Sequence, residues 1–157
     1  MQTLLLLVGK TNDSSLISLM EKYTERIKRL QPFEIHVIPE LRNKGKMGSE
    51  IQKQKEGESI IQQFELGDFT VLLDEKGKSF DSAQFSEYLN KKRVMAYKRI
   101  VFVVGGPFGF SKAVYDKAHE KIALSSMTFS HQMIRIFFLE QLYRANTILK
   151  NFPYHNK

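Results

Sequence analysis

Ile100-Val-Phe-Val-Val-Gly-Gly-Pro-Phe-Gly109 is the stretch on which the fold turns. The unbroken apolar run Ile100–Val104 suits a strand buried on both faces, as in a parallel sheet. Gly105-Gly-Pro-Phe-Gly109 comes next, and Ser111 then offers a cap for a short helix. Glycines at a strand-to-helix junction permit positive φ and let a ligand come close to bare backbone. A plain tight turn would use the same residues. The segment is neither the dinucleotide fingerprint G-x-G-x-x-G nor a Walker A loop, since it lacks a Gly-Lys-Ser/Thr ending.

Working outward, the rest of the chain alternates strand and helix. Leu4–Val8 is a second continuous apolar run, and Asn12-Asp13-Ser14 supplies helix caps. Leu16, Met20, Tyr23, Ile27 and Leu30 then mark one face of an amphipathic helix. Gln31-Pro32 ends it, and Phe33–Ile38 reads as a strand stopped at Pro39. Residues 40–48 form a polar, basic loop. Ser49 with Gln52 resembles a capping box, opening a helix that carries Ile60, Ile61 and Phe64 to about Gly67. A strand at Phe69–Leu73, a turn at Asp74-Glu-Lys-Gly77 and a helix from about Ser82 to Lys92 come after it. Ile122–Leu124 offers a fifth strand. Ser130 caps a long final helix whose expected buried stripe is Ile134, Phe138, Leu142, Ala145 and Leu149. Such alternation predicts an α/β fold, a parallel sheet covered on both faces. Ligands of these sheets bind beyond the carboxyl ends of the strands, which brings Leu73-Asp74 and Gly105-Gly106 to one crevice. The 157 residues fit a single domain, 1–157.

Composition narrows the function classes. There are no cysteines, and the four histidines (His36, His119, His131, His155) do not pair at metal-ligand spacing, so no metal site is expected. Met1-Gln2-Thr3 runs straight into Leu4–Val8 without a basic n-region, so neither signal peptide nor membrane span is expected and the location reads as cytoplasmic. Net charge is +7, which suggests a polyanionic partner, although lysine added for solubility would look alike. After Glu120 the only acid is Glu140, against Lys121, Arg135, Arg144, Lys150 and Lys157. These, with Arg42-Asn-Lys-Gly-Lys46, are candidate phosphate contacts.

Taken singly, the remaining motifs are modest. Leu124-Ser-Ser-Met-Thr-Phe129 could hydrogen-bond a ligand or be a loop. Glu140 and Arg144 lie at i, i+4, the spacing of an exposed helix salt bridge worth a few tenths of a kcal/mol. His131 and Arg135 share that spacing. The tail Phe152-Pro-Tyr-His-Asn-Lys157 reads as a frayed end, yet Tyr154 could stack on a base and His155 could move a proton.

Read in order, Val8-Gly9-Lys10, Leu73-Asp-Glu-Lys-Gly-Lys78, Phe102–Gly109, Leu124–His131, Leu139-Glu-Gln-Leu-Tyr-Arg-Ala145 and the terminal Pro-Tyr-His resemble the RlmH family. These are SPOUT-class enzymes that methylate N3 of a pseudouridine in large-subunit ribosomal RNA. The resemblance spans essentially the whole chain. It implies a deep C-terminal trefoil knot over about residues 100–157, an exception to the unknotted rule, and a homodimer using S-adenosylmethionine. It further implies cofactor contacts at Leu73, Gly105, Leu124, Ser125, Ser126, Met127, Thr128 and Phe129, made largely through backbone. The reaction would fall to His155 for the N3 proton, Arg144 for the developing anion and Tyr154 against the base. The partner implied is ribosomal RNA within the ribosome. Ser130 stands where the family commonly has proline, and either suits a helix start. A non-catalytic basic RNA-binding or assembly factor with the same fold is the alternative. A phosphoryl transferase is disfavoured by the missing Walker lysine.

Overall fold

The computed structural model describes residues 1–156, so the candidate phosphate contact Lys157 lies outside the described residues. Five strands, β1 (Gln2–Val8), β2 (Phe33–Ile38), β3 (Asp68–Ser79), β4 (Arg99–Val104) and β5 (Glu120–Ala123), form one sheet in the order β2-β1-β4-β3-β5. Every pairing is parallel. Parallel strands bury both faces, and alternate residues accordingly enter two cores. Leu5, Leu7, Val71, Ile100 and Phe102 meet helices α1 (Ser14–Lys28), α3 (Ser82–Arg93) and α5 (Met133–Leu149) through residues such as Ile27, Leu89 and Phe138. Leu4, Leu6, Leu72, Val101 and Val103 meet Ile60 of α2 (Ser49–Ile61) and Val114 of α4 (Lys112–Lys117).

The helix starts obey local chemistry. Asp13 accepts from the Ser15 and Leu16 amides, Asp81 forms a full capping box with Gln84, and the Ser111 side chain accepts from Val114 N. These bonds occupy amides that a helix cannot pair internally. α2 departs from expectation. Gly48 is its N-cap, with no side-chain hydrogen bond, and Gln52 instead donates to Glu56 at 3.0 Å. The helix stops at Ile61 rather than near Gly67. α5 begins at Met133, although Ser130 Oγ still accepts from Met133 N at 3.1 Å.

β3 also differs from its expected form. Asp74–Gly77 does not end the strand but bulges, so that Leu73 and Lys78 both register with Ile122 of β5. A Cβ placed on Gly77 would stand 2.5–2.6 Å from the Ile122 backbone. Only glycine fits there. Gly77→Ala should therefore overpack the bulge, costing about 1–3 kcal/mol, which a urea midpoint would report; an unchanged midpoint would mean that β5 can move aside.

The larger surprise is Arg135, expected as a surface cation and found fully buried. Its Nη1 donates to Gly9 O and Thr11 Oγ1, both at 2.9 Å, its Nη2 to Val8 O at 2.8 Å and its Nε to His131 O at 3.0 Å. The guanidinium fork pins the end of β1 to the first turn of α5. It is a tether, not a phosphate contact. No helix among the described residues is long and apolar enough to cross a membrane.

Candidate active site

The segments that leave β4 and β5, together with the bulge within β3, wall a cleft of about 690 Å³. β4 contributes Gly105–Gly109, β3 contributes Leu73 and the bulge residues Asp74–Lys76, and β5 leads into Leu124–Phe129. Of the expected cofactor residues, Leu73, Gly105, Leu124, Ser125, Met127, Thr128 and Phe129 all line the cleft; Ser126 does not. Three of the lining residues, Gly105, Gly106 and Gly109, are glycines. A Cβ on Gly105 would come to 3.0 Å from the Phe110 ring, and one on Gly106 to 2.5 Å from Glu56 Oε2. The size suits a nucleoside-sized ligand.

Polar groups brace the mouth. Tyr115 donates to Asp74, which raises its phenol above the usual range, burial being the larger cause. Thr128 Oγ1 donates to Glu75. That bond joins the bulge of β3 to the loop after β5 across the opening.

His131 and Ile134, at the start of α5, close one side. Burial, with the neighbouring Arg135 cation, holds the His131 imidazolium below its ordinary pKa, against the opposing pull of Glu40 and Glu56. A folded-state pKa below the unfolded value of about 6.5 means that the unfolded chain binds more protons in that window. Stability should therefore fall as pH drops below about 6.5, and His131→Asn should flatten that part of the profile. A variant with the wild-type pH dependence would clear His131 of the effect.

The three expected catalytic side chains meet one another but not the cleft. Glu140 is their hub. Its Oε1 accepts from Arg144 Nη2 at 2.5 Å, Arg144 Nε at 3.0 Å and Tyr154 Oη at 3.2 Å. The Arg144 guanidinium lies 4.8 Å over the Tyr154 ring, which packs edge-on against Tyr143. Glu140, half-buried, raises the Arg144 pKa; burial, together with Tyr23 and Glu140, raises that of Tyr154. The pair is thus no exposed helix salt bridge, and Tyr154 is held in place rather than frayed. Glu140 itself is legible in the sequence as an i, i+4 partner but not as the centre of this cluster.

Arg144 Nη1 stands 3.3 Å from His155 Nδ1. Arginine can only donate, so Nδ1 accepts and the neutral ring carries its proton on Nε2. In this arrangement Nε2 is a donor. The ring must leave Arg144 before it can accept a proton. From Ile134 at the cleft to Arg144 is ten residues of α5, or about 15 Å at the helical rise.

Strand-end clefts of this kind serve many α/β enzymes, and sequence similarity assigns this one to the methyltransferases of the SPOUT class. The family described as "Predicted SPOUT methyltransferase" matches residues 1–155, and the chain belongs to it. Among its relatives, "Ribosomal RNA large subunit methyltransferase H" of Parabacteroides distasonis is 54% identical over 153 residues, 98% of each chain. The proteins of that name from Christiangramia forsetii and Porphyromonas gingivalis are 50% and 48% identical, over 98% and 100% of each chain respectively. A solved probable methylase family protein from Haemophilus influenzae shares the fold, with a TM-score of 0.51 at 11% identity, over 95% of this chain and 66% of that one.

Proposed function

We propose that the chain transfers a methyl group from S-adenosylmethionine to N3 of a pseudouridine in large-subunit ribosomal RNA, in the cytoplasm, on assembled ribosomes and as a homodimer. The observation that carries this reading is the cleft itself, which gathers Leu73, Gly105 and the loop after β5 in a chain half-identical, end to end, to relatives named for ribosomal RNA methylation. Its residues fit the cofactor. Leu73, Leu124 and Ile134 offer apolar contact for an adenine, the glycines leave room for close approach, and the 124–129 loop brings amides and hydroxyls. When bound, the cofactor would supply an electrophilic methyl group. The C-terminal trefoil knot is carried over from the family.

The chain's own side chains would do the rest. Arg144, held rigid by Glu140, would face negative charge developing on the base carbonyls. Tyr154 would pack against the base. His155 would take the N3 proton once its ring has left Arg144. Within one protomer these groups stand about 15 Å along α5 from the cleft. We therefore place the tail of one subunit over the cleft of the other, which gives the homodimer a chemical reason. The basic loop 42–46, with its single 3₁₀ turn at Lys44–Lys46, would add contacts to the ribosome.

Mass mapping of ribosomal RNA from cells lacking the protein should reveal one lost methyl group, regained on re-expression. Unaltered methylation would defeat the reading. Titration with S-adenosylmethionine separates enzyme from assembly factor: micromolar binding supports the first, and no binding the second.

A further inference from the structure

A line of lysines leaves the mouth of the cleft and runs along the β5 edge of the sheet. Lys76 lines the cleft and also a neighbouring depression that it shares with Lys121. Lys121 in turn lines a groove of about 480 Å³ between β5 and α3, where Lys78, Lys91 and Lys92 gather. The three hollows thus adjoin, with Lys76 and Lys121 standing in the walls between them. Lys92 is engaged by Glu120 at 2.9 Å, and the other oxygen of Glu120 accepts from Tyr88 at 2.7 Å. Lys76, Lys78, Lys91 and Lys121 are exposed, and none of the four is in an ion pair among the described residues. Against them the groove sets one carboxylate not already engaged, Glu87.

Lysines on an outer strand also deter pairing with other chains. That explains Lys121, which lies on the edge strand β5, but not Lys78, which lies on the inner strand β3. Nor does it explain Lys91, which reaches the same groove from α3, or Lys76 at the mouth of the cleft. Cations without a carboxylate partner, two of them lying over the Phe80 and Tyr115 rings, arrive from a helix, a bulge and two strands along adjoining hollows and suit a polyanionic chain. Because these hollows begin where a nucleotide would have to enter, RNA fits them better than an acidic protein surface does.

We propose that this line is a phosphate track, which holds the ribosomal RNA backbone flanking the nucleotide presented to the cleft. The inference rests on RNA being the substrate. The test is the triple variant Lys78→Ala, Lys91→Ala, Lys121→Ala, leaving Lys76 and the cleft intact. Affinity for protein-free large-subunit ribosomal RNA and for intact ribosomes would be measured across a salt series. Without these three cations, the slope of log affinity against log salt should shrink by about two units, at roughly 0.7 per single-strand phosphate neutralised. S-adenosylmethionine affinity and melting temperature should not change. An unchanged slope overturns the track. So does weakening on ribosomes without weakening on protein-free RNA, since that assigns the lysines to a protein partner. Wild-type protein that binds the RNA yet transfers no methyl group would refute the functional reading alone, and the slope would still decide this one.

Discussion

Replacing Arg135 with methionine is expected to lower folding stability by about 3 kcal/mol. Arg135 is fully buried and its guanidinium meets four oxygens, three of them at the end of β1. Hydrogen bonds to a charged group contribute about 1.5–3 kcal/mol each. Desolvating the cation costs several kcal/mol, and the same burial depresses its pKa. The bonds outweigh that cost, so methionine, which fills the volume of the stem, should still leave a deficit. The Val8 and Gly9 carbonyls would lose their donor. Arg135→Lys should recover only part of the stability, because one ammonium cannot reproduce a planar fork. Urea denaturation would read the effect as a lower midpoint at constant slope. Equal midpoints for wild type and the methionine variant would mean that the tether contributes nothing net.

The second large effect belongs to the tail. His155→Ala should slow methyl transfer by about 10²–10⁴-fold, the range for a positioned acid or base, while S-adenosylmethionine affinity stays within about twofold. His155 is assigned to the base rather than to the cofactor, and in its own protomer it contacts Arg144 outside the cleft lining, so its removal should leave the cofactor's own contacts in place. Subunit mixing tests the arrangement across the dimer. Arg144→Ala has a damaged tail and an intact cleft. Gly105→Val, which forces a branched side chain towards the Phe110 ring, has the reverse. Each homodimer should be inactive. If the tail serves the partner's cleft, mixed dimers regain one working site; if it serves its own, mixing restores nothing. Transfer at the wild-type rate by His155→Ala would remove His155 from the chemistry altogether.

How much of this can be read from the residues depends on what kind of signal each feature leaves. Continuous apolar runs such as Leu4–Val8 and Ile100–Val104 mark buried parallel strands, and both strands form where those runs stand. Strand ends alone are enough to locate the crevice. Arg135 reads as a surface cation because a charged residue is presumed to face water. Yet 135, 138, 139, 142 and 146 form a helical stripe of their own, all of it buried. Gly77 reads as a turn because a glycine among charged residues has the same composition in a turn and in a bulge; the nearby Ile122 backbone, far along the chain, decides between them. Ser49 yields the cap position to Gly48 for a similar reason, since the two neighbours are separated only by backbone angles. The separation of the tail cluster from the cleft is not contained in motif order. It comes from the length of α5 and the path of the chain after it.

The strand order has a consequence for how the protein is made. β1 pairs with β2 at Thr3↔Phe33, but its other edge pairs with β4 at Gln2↔Arg99. During synthesis that edge, carrying Leu4–Val8, stays open until the chain has grown by almost a hundred residues, about 5–20 s at ordinary translation rates. Arg135, which locks the end of the same strand, emerges later still. For that interval the newborn chain presents an unpaired apolar strand, the form most apt to join a stranger's sheet. A protein proposed to modify ribosomes is thus, at its own birth, one whose N-terminal strand needs shelter until β4 has emerged.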